Sequence, residues 1–311
     1  MNNMLICASH SPLMLVNMPA SSESSQEFFN YLNEAKKRVK IFDPELIVIF
    51  GPDHFNGFFF DLMPSFCIGI EAETTQDWSL PKVKLNVPSD LSLECVNYVR
   101  DMDIDVAFSW NMKTDHGISI ALHQLTDDLT KYPVIPIFIN CAAHPRPSFK
   151  RSRIFGNAIG NYLSSLNKRT LVIASGGLSH DPPTPRFEFS PLHLRQRLVD
   201  RHIATAEELK KRENNVINAA NLLVKGEGPC LPPNPNWDKN FITNLISFNT
   251  HELDRLTDKE IDEKVGFGGH EVRTWISAVS AMNALQSCEI NLDYYAVVPE
   301  WITGMGMISS R

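Results

Sequence analysis

Four short runs of the chain are apolar at nearly every position: residues 4–8, 45–50, 134–139 and 171–175. Each is dense in Val, Ile, Leu or Phe, residues that fill a pleated surface well. An apolar run without polar alternation predicts a strand covered on both faces. Between these runs lie longer stretches with apolar positions at helical spacing. Phe28, Leu32, Ala35 and Val39 predict a helix over residues 25–40, and amphipathic helices are predicted over 192–213 and 272–285. Strands alternating with helices predict an α/β fold, a central largely parallel or mixed sheet flanked by helices. Glu34 and Arg38, Glu207 and Lys211, and Glu208 and Arg212 stand four apart, so each pair is expected to meet on an exposed helix face. Residues 226–237, rich in Pro, Gly and Asn, predict a loop or lid.

Composition bounds what such a fold can do. A chain of 311 residues, 43% hydrophobic and 21% charged, can bury a large core. The length suits one big α/β domain or two closely packed halves, and one catalytic unit spanning residues 1–311 is expected; no repeat or low-complexity tract occurs. The 36 acidic against 29 basic residues give a net charge of -7, which argues against nucleic acid or an anionic membrane as partner. Six scattered cysteines without a C-x-x-C pair predict reduced thiols rather than a disulfide framework or thiolate metal site. The opening Met1-Asn2-Asn3-Met4-Leu5-Ile6-Cys7 has no basic region and only a short apolar run, so a cytoplasmic location is expected.

Histidine carries the chemical information. His10 follows the first predicted strand in Ala8-Ser9-His10-Ser11-Pro12-Leu13. His54 follows the second in Gly51-Pro52-Asp53-His54-Phe55-Asn56-Gly57, and His180 follows the fourth in Gly176-Gly177-Leu178-Ser179-His180-Asp181. His116 lies in Thr114-Asp115-His116-Gly117. Ligands of open α/β sheets bind beyond the carboxyl ends of the strands, so these side chains are expected to share one metal cleft there. Imidazole binds iron, zinc or copper and also transfers protons near neutral pH. Asp53, Asp115 and Asp181, each beside one of these histidines, are turn formers or acceptors that orient an imidazole. His123, His144, His193, His202 and His251 have no comparable context and are expected to be structural or exposed. His251-Glu252 and His270-Glu271 lack the second His of a zincin, and no P-loop or dinucleotide fingerprint occurs.

Taken together, several segments resemble the class III extradiol dioxygenases, the superfamily of the protocatechuate 4,5-dioxygenase catalytic subunit. They include Ser9-His10-Ser11-Pro12-Leu13, Pro52-Asp53-His54-Phe55-Asn56-Gly57-Phe58-Phe59, residues 134–140 and residues 175–180. Asn234-Pro235-Asn236-Trp237-Asp238, His270-Glu271-Val272-Arg273-Thr274-Trp275 and Pro299-Glu300-Trp301-Ile302-Thr303-Gly304 continue the match to the end of the chain. The resemblance implies one cofactor, Fe(2+), held by His10, His54 and Glu271. Without the resemblance, Glu271 reads as a first-turn glutamate favouring a helix dipole. His116 and His180 are implied as an acid–base pair: His180 takes a proton from a substrate hydroxyl, and His116 delivers one later.

The implied substrates are O2 and a catechol bearing a carboxyalkyl chain. Meta-cleavage of 3-(2,3-dihydroxyphenyl)propionate, or of the cinnamate analogue, would give 2-hydroxy-6-oxonona-2,4-dienedioate or its unsaturated counterpart. A homo-oligomer is also implied. A carboxylate needs a cation, and Arg146, Arg186 and Arg273 are candidates that the sequence does not separate. Phe55, Phe58, Phe59 and Phe60 either wall a ring pocket or pack the core. The rival readings are an extradiol enzyme for another catechol, a zinc hydrolase using the same histidines, and a non-catalytic metal-binding protein.

Overall fold

The computed structural model describes residues 3–16 and 22–310; Met1 and Asn2, which open the N-terminal run read above, lie outside them. In chain order the strands are β1 (Asn3–Ala8), β2 (Leu46–Gly51), β3 (Phe66–Gly69), β4 (Ala72–Thr74) and β5 (Ala107–Ser109). They continue with β6 (Met112–Thr114), β7 (Val134–Ile139), β8 (Thr170–Ser175), β9 (Ile290–Val298) and β10 (Thr303–Ser310). Helices α1 (Leu13–Val16) and α2 (Glu23–Phe42) join β1 to β2, and α3 (Ser89–Asp101) joins β4 to β5. Helix α4 (His116–Thr126) follows β6, and α5 (Phe149–Ser164) follows β7. After β8 come α6 (Leu192–Val199), α7 (Ala206–Val224), α8 (Pro235–Ile246), α9 (Thr250–Asp254), α10 (Asp258–Lys264) and α11 (Val272–Leu285).

The four apolar runs form β1, β2, β7 and β8, each buried at every position. Within the mixed sheet, ordered β5-β3-β7-β2-β8-β1-β10-β9, those four pair in parallel. The antiparallel pairs lie towards the edges, β3 on β7 at one side and β10 between β1 and β9 at the other. Side chains alternate across the sheet. Leu5, Cys7, Val48 and Phe50 pack in one layer with Val99, Phe155 and Val279 of α3, α5 and α11. Met4, Ile6, Ile47 and Ile49 pack in the other with Leu32 and Leu122 of α2 and α4. The sheet is thus covered on both faces, as its uninterrupted apolar runs require. Among the described residues, no helix is long and apolar enough to cross a membrane.

Three elements depart from the sequence expectation. The helix predicted over 192–213 is two helices, broken where Arg201 takes a left-handed φ of 52°. The second starts at a capping box in which Thr205 Oγ1 accepts from Glu208 N, while Glu208 Oε2 accepts from Thr205 N at 2.8 Å. Local capping overrides a periodicity that runs through the break. The loop predicted over 226–237 ends earlier, because Asn234 caps α8 and Pro235 occupies its first turn. Helix α11 is not amphipathic: every residue from Val272 to Met282 is buried, between the sheet and α5.

The approach of α5 to α11 depends on Gly156 and Gly160. A Cβ at either would stand 2.1 Å from a backbone oxygen of α11, that of Ser277 or Ala281. Gly160→Ala is therefore expected to destabilise the protein by about 1–3 kcal/mol, the usual range for an overpacked core. Equilibrium urea unfolding measures this, and an unchanged midpoint would contradict the close approach.

Register fixes where the functional loops emerge. Ala8 stands opposite Ser175, and Phe50 opposite Ala174, so β1, β2 and β8 end almost level. The segments carrying His10, His54 and His180 therefore leave the sheet side by side.

Candidate metal centre

Each histidine is held by its local chain. Ser9 pins the backbone ahead of His10, its N donating to Gly306 O and its Oγ accepting from Gly306 N, both at 2.9 Å. His10 is buried, and its Nδ1 lies 3.0 Å from Ser175 Oγ at the end of β8. His54 sits on a turn built by the Asp53 carboxylate, which accepts from Asn56 N, Gly57 N and Phe58 N at 2.8–3.1 Å. Asp115 Oδ2 accepts from His54 N at 2.7 Å and meets His54 Nδ1 at 3.1 Å. The same aspartate caps α4 through Gly117 N, so His116 begins that helix directly beside His54. Asp115 thus acts as an imidazole acceptor as well as a cap, whereas Asp53 is a turn former. Asp181 also braces a loop, accepting from Phe267 N at 2.9 Å and Leu231 N at 3.2 Å.

With the Nδ1 atoms so engaged, the Nε2 atoms of His10 and His54 turn towards Glu271. Glu271 Oε1 lies 3.1 Å from His54 Nε2, and Oε2 lies 3.9 Å from His10 Nε2. Oε2 also accepts from Gly177 N at 2.7 Å, which fixes the carboxylate over the end of β8. Glu271 closes a 3-10 turn just before α11 and is buried. It is therefore no solvent-facing dipole partner. Atoms about 2.1 Å from a shared ion stand roughly 3 Å apart when at right angles. Two imidazoles and a carboxylate at these separations fit a divalent transition metal, with no thiolate in the set.

His116 is the competing third donor. The ligand nitrogens of His10, His54 and His116 lie within 4.8 Å of one another. The His116 ring, however, stacks on His54, centroids 4.1 Å apart and planes 19° apart. Parallel rings direct their in-plane lone pairs side by side rather than onto one ion. His116 Nδ1 is bound to Asp77, which orients the ring as a neighbour of the metal position. Glu271, with one oxygen facing His10 and the other His54, is the other candidate for the third donor. The cluster Asp77, Asp115 and His116 is likewise accounted for by these hydrogen bonds.

His180 completes the group. Its Nε2 lies 3.6 Å from Glu271 Oε1, and its Nδ1 lies 3.1 Å from Leu178 O. A carbonyl only accepts, so Nδ1 carries the proton and Nε2 is left as the basic nitrogen. The ring lies flat against Gly268, where a Cβ would fall 2.0 Å from Nε2; only glycine leaves it room. Behind it, Asp238 accepts from Ser179 N at 2.9 Å, from Ser179 Oγ at 2.6 Å and from Tyr295 OH at 2.8 Å. Burial pushes the Asp238 carboxyl up to about 6, against the pull of those donors.

The electrostatics separate the two metal-facing imidazoles. Burial pushes His10 down to about 3, outweighing the attraction of Glu271, so it is neutral and free to donate a lone pair. Burial also opposes charge on His54, but Asp115 and Glu271 outweigh it and raise its pKa well above the ordinary value. For Glu271, burial is outweighed by His180, His10 and His54, which hold its carboxyl well below the usual range. It remains ionised.

His10, His54, His116 and His180 border a cavity of about 630 Å³. Phe55, Phe59, Trp78, Trp301 and Ile302 form apolar wall, and α6 and α7 supply the far side. Of the predicted phenylalanine cluster, Phe58 instead stacks on Phe138 in the core, and Phe60 stacks on Phe55 and Phe187. The three arginine candidates are not among the lining residues. Arg146 and Arg273 both bind Asp258, and Arg186 binds Asp181 at 2.5 Å. The cations that do line the cavity are Arg197, Lys211 and Arg212, with His202 beside them. Sequence reading missed Asp77, which carries no local signal; His202, expected to be structural or exposed, pairs with Glu208.

Comparison with known proteins places the chain in a family. Residues 4–306 match the family described as the catalytic LigB subunit of aromatic ring-opening dioxygenase. The chain belongs to that family and is an aromatic ring-opening dioxygenase of the extradiol type. It is 41% identical to a 2,3-dihydroxyphenylpropionate/2,3-dihydroxicinnamic acid 1,2-dioxygenase of Photorhabdus laumondii, over 99% of this chain and 96% of the relative. A protein of the same name from Escherichia coli K12 is 40% identical, over 100% of this chain and 99% of its own. A solved structure of an uncharacterized Escherichia coli K12 protein covers 98% of both chains at 15% identity and a TM-score of 0.48, too loose a likeness to bear on the site.

Proposed function

We propose that this chain, acting as one catalytic domain, is an iron(II)-dependent extradiol dioxygenase for 3-(2,3-dihydroxyphenyl)propionate and its cinnamate analogue. The observation that carries the reading is the convergence on the Glu271 carboxylate of His10 Nε2 and His54 Nε2, two histidines that line an aromatic-walled cavity. The names and full-length coverage of the relatives support the substrate. His10, His54 and Glu271 would hold the ion. Bound there, iron(II) supplies the one-electron chemistry that lets O2 react with a catechol.

The protein's own groups place the substrate and move its protons. His180 Nε2, with Nδ1 committed to Leu178 O, accepts a proton from the nearer catechol hydroxyl. His116, oriented through Nδ1 by Asp77, presents its other nitrogen beside His54 and returns a proton as the ring opens. Phe55, Phe59 and Trp78 accept the ring and keep bulk water from it.

The test is anaerobic loading of metal-free protein with iron(II), followed by air and the catechol. One O2 consumed per substrate, with a yellow ring-opened product, is expected. A zinc-loaded sample should do neither. Hydrolysis without O2 uptake, or no reaction with any catechol after iron loading, would overturn the proposal.

A further inference from the structure

The cavity meets its basic residues on α6 and α7, and these cations are not equivalent. Glu208 is shared: Arg197 Nη2 binds its Oε1 at 2.7 Å, while His202 Nε2 and Thr205 N reach its Oε2 at 2.9 and 2.8 Å. The pairing expected from sequence, Glu208 with Arg212, is therefore not made. Among the described residues, Arg212 has neither a hydrogen bond nor an ion pair. Two guanidiniums and Lys211 thus line the cavity beside two carboxylates that are already paired, Glu208 with Arg197 and His202, and Glu213 with Lys210. A surplus of positive charge on one wall is notable in a chain of net charge -7.

Helical spacing singles out one of these cations. Leu209, Arg212 and Val216 stand at i, i+3 and i+7 on α7 and all line the cavity. Arg212 thus stands between two apolar lining residues, with Glu208, Glu213 and Asn215 also on the wall, whereas Lys211 lies well round the helix. Arg212 is solvent-accessible, but the cavity walls partly desolvate its guanidinium and nearby Arg197 repels it, which together lower its pKa. An exposed guanidinium with no hydrogen-bonded acceptor among the described residues, lining the cavity that His10 and His54 also line, is suited to a bidentate carboxylate.

We propose that Arg212 receives the side-chain carboxylate of the substrate, with Arg197, tied to Glu208, behind it. This subsite rests on the reading that the cavity takes a carboxyalkyl catechol. It makes Arg212 a specificity residue: the catechol end needs the histidines, and the distant end needs the fork of α7.

Arg212→Gln alters an accessible helix position, so folding is not at stake. In the iron-loaded enzyme, the ratio of kcat/KM for 3-(2,3-dihydroxyphenyl)propionate to that for 3-propylcatechol is expected to fall about 10- to 100-fold, the scale of a lost charge-assisted contact. Arg212→Lys, which keeps charge without the fork, should recover part of it. An unchanged ratio overturns the proposal. Binding of 3-(2-hydroxyphenyl)propionate, which cannot be cleaved as a catechol, gives a readout independent of turnover. It should weaken by a similar factor in Arg212→Gln, and equal binding to both proteins overturns the subsite. If the native protein cleaves no catechol yet binds this acid through Arg212, the subsite stands and the assigned reaction falls.

Discussion

Purified His54→Ala protein is expected to hold little metal and to have lost ring cleavage. The Nε2 of His54 is 3.1 Å from Glu271 Oε1, and its Nδ1 is held by Asp115, so no neighbouring group can replace it without moving. Loss of a partner behind a metal ligand commonly weakens affinity by roughly 10- to 100-fold. Asp115→Asn should fall in that range, and removal of the ligand itself should exceed it. Metal content by elemental analysis, with competition against a chelator, measures both.

The same residue gives metal binding a pH dependence. Asp115 and Glu271 raise the pKa of His54 against the effect of burial, which favours a proton on this imidazole in the metal-free site. An incoming ion must displace it, so affinity rises with pH and falls as the medium is acidified. His10, pushed down to about 3, has no such proton to lose. Calorimetric titration in buffers of different ionisation enthalpy should therefore show proton release on metal binding near pH 7. Binding without proton release would show that His54 carries no proton in the metal-free site at that pH.

The parts of this arrangement visible in the sequence are those that depend on short stretches of chain. Residues 4–8 and 171–175 read as buried strands because hydrophobicity at every position has few other uses, and they pair in register as Met4 with Leu171 through Ala8 with Ser175. His10, His54 and His180 were legible because they follow such strands directly. What depends on distant partners was not. The stacking of His116 on His54, and its bond to Asp77, join segments that no spacing rule connects. Glu271 required family resemblance, since a glutamate opening a helix is ordinary until Gly177 and His54 are seen to take its oxygens.

Helix pairing failed for the same reason. Glu34 pairs with Lys37 rather than Arg38, which donates instead to Ser309 Oγ and Ser310 O of β10. Glu208 turns from Arg212 to Arg197 across the α6–α7 break, which leaves Arg212 to the cavity. Long-range hydrogen bonds outbid i,i+4 pairs worth only about 0.2–0.5 kcal/mol.

His180→Gln is expected to give the complementary result, full metal content with ring cleavage reduced about 10²- to 10⁴-fold, the usual contribution of a positioned acid or base. His180 Nε2 is 3.6 Å from Glu271 Oε1, whereas Glu271 itself is anchored by Gly177 N at 2.7 Å and lies against His54. Removing the imidazole therefore leaves the carboxylate in place. Glutamine retains a donor for Leu178 O but offers no basic nitrogen at neutral pH, so the proton of the catechol hydroxyl has nowhere to go. The loss should appear in kcat, with catechol affinity changed only a few-fold, and should ease as pH rises, because hydroxide and ionised catechol replace the missing base. Native protein, whose His180 pKa is raised by Glu271 and Leu178 against the opposing effect of burial, should instead gain activity over the range in which that imidazole gives up its proton. If His180→Gln and His54→Ala lose metal equally, the separation of metal-holding from proton-transferring histidines is wrong, and His180 belongs to the metal site.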